Sequence, residues 1–246
     1  MLVKDFYSLM RAFDLNWHLK RLQNKQYYSF VRYGDGEWEA LLRNSGNTTG
    51  HGKYKLTPKT KKTMNDALAR YYSEKDLFFG CQESRMRLMN QQSQEFLKRY
   101  KLLKIDWKFA DAFHAASKKG KLFPLIEELR KHKIIVIGPK FLRRLSDKIF
   151  NYIDFIQIPE RTGWLDKSTF NEVLLRKKQF GNGILYSFSV GIGANILIPN
   201  LHRHMRGNFL IDFGSLWDPF CGRNSRIYMM EKHWLKHQFR RNLNLH

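Results

Sequence analysis

The chain has 246 residues, of which 43% are hydrophobic and 15% aromatic, a length and composition that support one substantial buried core and exclude a disordered chain. Two cysteines, Cys81 and Cys221, are too few for a disulfide framework or a cysteine-rich zinc site, and no apolar run is long enough to span a bilayer. The formal net charge of +22 makes polyanions the expected partners: nucleic acid, an anionic membrane leaflet or phosphorylated substrates.

Taken in order, residues 1–26 read as an amphipathic helix with Phe6, Met10, Phe13, Trp17 and Leu22 near one face. Ser29 to Tyr33 are β-branched, aromatic or small, as a short buried strand requires, and Trp38, Leu41 and Leu42 then fall at helical spacing. Between them stands Gly34-Asp-Gly-Glu37, so the motif reads as strand, tight loop, helix. Residues 43–54 are polar and rich in glycine and asparagine, the composition of a loop beside a site, with His51 in it. Thr57-Pro58 starts a helix that runs to about Tyr72. A strand at 76–80 follows, with Glu83, Ser84 and Arg85 just beyond its carboxyl end, then a helix over about 87–100.

Trp107 to His114 fits either a short strand or a helix start, and it offers Asp111 and His114 as an acid/base pair or as a capping Asp and a surface His. A helix is expected from Pro124 to Lys131. Ile134 to Ile137 is four aliphatic residues in a row, the mark of a strand buried on both faces of a parallel sheet. Gly138-Pro-Lys140 leads into a helix near Phe141, which places Lys140 where phosphates are often met. A strand at 154–158 is followed by Pro159-Glu-Arg-Thr-Gly-Trp164 and a helix from Asp166. A strand at 184–188 runs into Gly191-Ile-Gly193 and another helix. The last strand, 208–213, ends in Asp212-Phe-Gly-Ser215, and a basic, aromatic helix over 228–241 closes the pattern. Strands alternating with helices predict an α/β fold: a doubly wound, mostly parallel Rossmann-like sheet in a single domain over 1–246, with its loops forming one cleft at the strand carboxyl ends.

The Gly34-Asp-Gly-Glu37 loop carries the clearest chemistry. Residues two apart on extended chain point to one side, so Asp35 and Glu37 can converge on a hard divalent cation, which takes carboxylate and phosphate oxygens. Gly34 and Gly36 have no Cβ and let backbone amides approach a diphosphate. The ordinary alternative is that Asp35 caps the next helix while Glu37 favours its first turn.

The string Arg32-Tyr-Gly-Asp-Gly-Glu37 resembles the signature of the bacterial and viral glycosyltransferases of the GT-D fold, long grouped as a domain of unknown function. The likeness extends over about Phe30 to Asp218, and it implies a GT-D type fold. It also implies that Asp35 and Glu37 hold Mn²⁺ or Mg²⁺ against the diphosphate of a nucleotide-sugar donor, a UDP-sugar being the expected one. Arg32, Tyr33, Gly34, Gly36, Lys140, Arg161, Gly191 and Gly193 are then the expected donor contacts. Asp212 and Asp111 are the candidates for the base that takes the acceptor's proton. Relatives commonly have Asp-x-Gly-His where this chain has Asp212-Phe-Gly-Ser215, which puts Ser215 in the place of a histidine. The implied protein is a cytoplasmic glycosyltransferase acting on a glycan, glycoprotein or lipid-linked acceptor, with peripheral contact at the inner face of an anionic membrane as a further candidate. The competing function is a basic nucleic-acid-binding or metal-dependent nucleic-acid-processing protein, supported by the charge and by the basic, aromatic final segment.

Overall fold

The computed structural model describes residues 14–34, Glu37, 58–71, 73–81, 107–159 and 167–245. The expected sites Asp35, Gly36 and Arg161, the loop over 43–54, the segment around Glu83 and the helix over 87–100 lie outside them.

In chain order the elements are α1 (Leu15–Gln23), β1 (Ser29–Tyr33), α2 (Pro58–Tyr71), β2 (Leu77–Cys81), β3 (Lys108–Phe109), α3 (Ala112–Lys118) and α4 (Phe123–Leu129). They continue with β4 (Lys133–Gly138), a 3-10 turn at Lys140–Arg144, α5 (Leu145–Lys148), β5 (Asp154–Gln157), α6 (Lys167–Phe180) and β6 (Ile184–Phe188). A 3-10 turn at Gly191–Gly193 then leads to α7 (Ala194–His202), β7 (Phe209–Asp212), α8 (Ile227–Met230), a π-helical turn at Trp234–Gln238 and α9 (Phe239–Asn242). Asp14 accepts a hydrogen bond from the Asn16 amide at 2.8 Å and so caps α1.

The seven strands form one sheet, in the order β3-β2-β1-β7-β6-β4-β5, and all pairs are parallel. Alternation along the strands sorts side chains between two cores. Val31, Ile135, Ile137, Tyr186 and Leu210 pack on one face against Met64 and Leu68 of α2, Val173 of α6 and Leu197, Ile198 and Leu201 of α7. Phe30, Ile134, Val136, Leu185, Phe209 and Ile211 pack on the other against α1, α3, α4 and α5, through Leu19, Phe113, Ile126 and Leu145. Helices thus cover both faces, which is why β4 reads as an unbroken aliphatic run.

The winding fixes where a cleft belongs. From β1 the chain steps outward through β2 and β3, crosses to the far side for β4 and β5, and returns through β6 to set β7 against β1. After β1 the chain reaches α2 on the first face, whereas after β7 it runs through Leu216, Trp217 and Phe220 on the second. Two adjacent strands whose exits lead to opposite faces leave a crevice at their carboxyl ends.

The strand expectations at 29–33 and 184–188 match the observed limits, and the others are off by a residue or so. Two expectations need correction. Trp107 to His114 holds both alternatives in succession, the two-residue β3 and then α3. The continuous helix expected over 228–241 is broken at Glu231, whose backbone is extended (φ −69°, ψ 125°).

Candidate active site at the carboxyl edge of the sheet

Arg32 lies next to the end of β1, and alternation sends its side chain to the α3 face, away from Tyr33. There the guanidinium is fully engaged: Nε donates to the Ala110 carbonyl at 2.7 Å and Nη1 to the Phe213 carbonyl at 3.3 Å, while Nη2 is 3.5 Å from Asp111 Oδ1. Its carbonyl accepts from Asn195 Nδ2 at 2.8 Å, so α7 is pinned to β1 as well. A Cβ on Gly214 would collide with the Arg32 guanidinium, and Gly214 itself has φ +56°, so only glycine suits this turn.

Asp212, the last residue of β7, is 4% exposed. Its Oδ1 accepts from the Gly214 amide at 2.9 Å and its Oδ2 from the Arg32 amide at 3.2 Å, which ties β7 to β1 across the crevice. Burial pushes its proton affinity up to about 6; nearby Arg32 opposes this, the Glu37 carboxylate adds to it, and the two backbone donors oppose it. The Glu37 carboxylate is thus near enough to raise the proton affinity of Asp212, while Arg32 counters it.

Glu37 lies across this crevice from β7. Its Oε2 accepts from the Gly34 amide at 2.9 Å, a side chain three residues on satisfying a backbone donor just past the strand. One oxygen is thereby committed to the backbone.

A second cluster adjoins the first. Ser215 Oγ accepts from Arg226 Nε at 2.9 Å and stands 3.3 Å from His114 Nε2. An arginine can only donate, so the hydroxyl proton is available to the imidazole. Burial, then Arg32 and Arg226, hold His114 well below the usual imidazole range, hence neutral.

No family model and no curated protein matches the chain. Two solved structures are similar to it over most of its length. One is a selenomethionine-substituted structure of domain of unknown function 1792: TM-score 0.53, 19% identity, 87% of this chain and 84% of that one covered. The other is a structure of the same highly conserved domain, described as having a distinct glycosyltransferase fold: TM-score 0.52, 19% identity, 98% of this chain and 95% of that one.

The chain has a glycosyltransferase fold.

Within that fold the expected residues separate into groups. Arg32, Gly34, Glu37, Asp111 and Asp212 gather at the ends of β1 and β7 and the start of α3. Gly191 and Gly193 form the 3-10 turn after β6, Gly191 exposed with φ +56° and Gly193 buried. Lys140 is exposed at the end of β4. Two residues expected to contact the donor are enclosed by the protein. Tyr33 is fully buried, its ring set edge-on to Trp107 at 5.8 Å and tilted against Phe79 at 6.2 Å, so it is a core residue. Arg32, 7% exposed, spends its guanidinium on two backbone carbonyls and Asp111, so it braces the site. Asp111 and His114 do not pair: the first faces Arg32 and the second Ser215.

The sequence reading missed Asn195 and Arg226. Asn195 stood out only as an amide in the otherwise apolar first turn of α7, and Arg226 was one of many basic residues. Among the described residues no three His, Cys, Asp or Glu side chains group to hold a metal. A separate cavity of about 430 Å³ opens at the opposite, amino edge of the sheet. Its polar groups satisfy one another: His202 meets Ser29 Oγ at 2.8 Å and the Lys75 carbonyl at 2.9 Å, and Arg21 lies 3.6 Å from Asp76.

Proposed function

We propose that the chain is a metal-dependent glycosyltransferase that moves a sugar from a nucleotide-sugar donor, a UDP-sugar being the expected one, to a glycan, glycoprotein or lipid-linked acceptor. The observation that carries this reading is the gathering of Glu37, Asp111 and Asp212 around Arg32 at the switch between β1 and β7 in a glycosyltransferase fold, where the Glu37 carboxylate raises the proton affinity of Asp212.

The donor set fits a hard divalent ion. Glu37 keeps one carboxylate oxygen clear of the Gly34 amide, and carboxylate oxygens are the ligands such an ion takes. Asp35 and Glu37 would hold Mn²⁺ or Mg²⁺, with donor phosphates completing the oxygen set. The ion supplies Lewis-acid stabilisation of the departing nucleoside diphosphate. The chain's own residues do the rest. Asp212, with a proton affinity near neutrality, accepts the proton of the acceptor hydroxyl. Arg32 and Asn195 hold β1, β7 and α7 in register around it. Lys140 and the Gly191–Gly193 turn face the same edge and contact the donor.

Glu37→Gln separates the two roles of Glu37. The amide oxygen keeps the bond to Gly34, so the unfolding temperature stays that of the parent, whereas Mn²⁺-dependent binding of UDP in titration calorimetry falls by tenfold or more. A variant that binds UDP and Mn²⁺ like the parent, or a parent that binds no nucleoside diphosphate with Mn²⁺, overturns the reading.

A further inference from the structure

Six large hydrophobic side chains are exposed among the described residues, and three of them, Ile227 (75%), Met230 (57%) and Leu235 (40%), fall within nine residues. Ile227 and Met230 lie three apart on α8 and share a face, and Leu235 follows one turn into the next helical stretch, its amide bonded to the Glu231 carbonyl at 3.0 Å. Lys232, Lys236 and Arg241 are exposed in the same stretch, and Glu231 is the sole acidic residue from Arg226 to Arg241.

These side chains do not point outward for want of anchoring. Trp234 is 2% exposed and its Nε1 donates to the Ser117 carbonyl at 3.1 Å; Asn242 donates to the same carbonyl at 2.8 Å and accepts from the Leu122 amide at 3.0 Å. The segment is clamped to α3 and α4 through Trp234 and Asn242, while Ile227, Met230 and Leu235 and the basic residues interspersed with them stay exposed. Arg226, next to Ile227, reaches back to Ser215 at the site.

We propose that this face docks on an anionic phospholipid bilayer, Ile227, Met230 and Leu235 entering the headgroup–acyl boundary while Lys232, Lys236 and Arg241 meet lipid phosphates. The aliphatic and thioether character of the patch selects this partner. A single-stranded nucleic acid also attracts lysines, but it is gripped through aromatic rings on which bases stack, and none of the six exposed large hydrophobics is aromatic. Docking needs no sugar transfer. It narrows the acceptor to a lipid-linked one, and to that extent it rests on the proposed reaction, because Arg226 sets the patch beside the Ser215 end of the site.

The test is cosedimentation of the full chain, without donor or metal, with phosphatidylcholine vesicles and with vesicles containing phosphatidylglycerol. Binding is expected to the anionic vesicles alone and to weaken with added salt. It should fall about tenfold or more both in the triple variant Ile227→Ser, Met230→Ser, Leu235→Ser and in the pair Lys232→Gln, Lys236→Gln, each with the parent's unfolding temperature. Because nothing in the assay turns over, a failed transfer reaction leaves its result standing. Three outcomes overturn the proposal: no pelleting with anionic vesicles, pelleting unchanged in both variants, or tight salt-sensitive binding of a single-stranded RNA probe that the apolar triple variant retains in full.

Discussion

At the scale of single residues, Asp212 ties stability to chemistry. Its carboxyl is raised from 3.8 to about 6, so the folded state holds this proton more tightly than the unfolded chain does. The stabilisation from protonating it is complete below the unfolded value and is lost as pH rises through about 6. Asp212→Asn removes that dependence. The stability difference between parent and variant, from urea titrations, should change by about 2–3 kcal/mol between pH 7 and pH 4. Sugar transfer in the same variant should fall by about 10²-fold or more, the usual loss when a general base is removed. Much of this was legible beforehand. Asp212 and Glu37 stood out as acids in glycine-containing segments at or just after strand ends. The commitment of Arg32 was not legible, because its partners Ala110 and Phe213 are 78 and 181 residues away in the chain. Nothing local in Phe30-Val-Arg-Tyr33 says that the guanidinium braces carbonyls instead of meeting a phosphate.

At the scale of elements, the short edge strand carries weight beyond its length. Gly80 of β2 lies so close to the β3–α3 junction that an added Cβ would stand 2.9 Å from Ala110 Cα and 2.9 Å from Phe30 Cζ. That junction also supplies the Ala110 carbonyl that Arg32 grips. Gly80→Ala should therefore cost about 1–3 kcal/mol in thermal or chemical unfolding and loosen the Arg32 brace in the same step. A substitution here that left stability unchanged would mean that β3 can shift without strain. The strands with continuous apolar runs announced themselves, β4 most plainly. With two residues β3 has no room for a periodic pattern, and the break at Glu231 follows no glycine or proline. That break is set by tertiary anchoring, the bond from Trp234 to Ser117 and the seat of Asn242 against Leu122.

At the scale of the whole molecule, three buried imidazoles make the chain acid-sensitive. Burial, aided by Arg21, takes His18 down to about 3; His114 is well below its ordinary value, and His202 is lowered, chiefly by burial. Groups depressed in this way contribute stability that is present above about 6.5 and is lost as pH falls below it, opposite in sign to Asp212. With three such groups against one, the unfolding temperature should hold steady from pH 8 to 7 and decline as pH falls below about 6. A midpoint that rose continuously on acidification would contradict the burial of these rings. No helix among the described residues is long and apolar enough to cross a membrane.

The central pairing in the sheet joins Ser29 to Leu210 and Phe30 to Ile211, the two sides being synthesised far apart in time. A nascent chain leaving the ribosome can assemble β1 with β2 early, yet the other flank of β1 stays bare until β7 has emerged. The crevice and both of its carboxylates therefore come into being in one late event, when the inserted strand completes the row. Premature termination anywhere before Phe209 yields a protein with an open seam at its middle and no Asp212 beside Glu37, however well its earlier segments have folded.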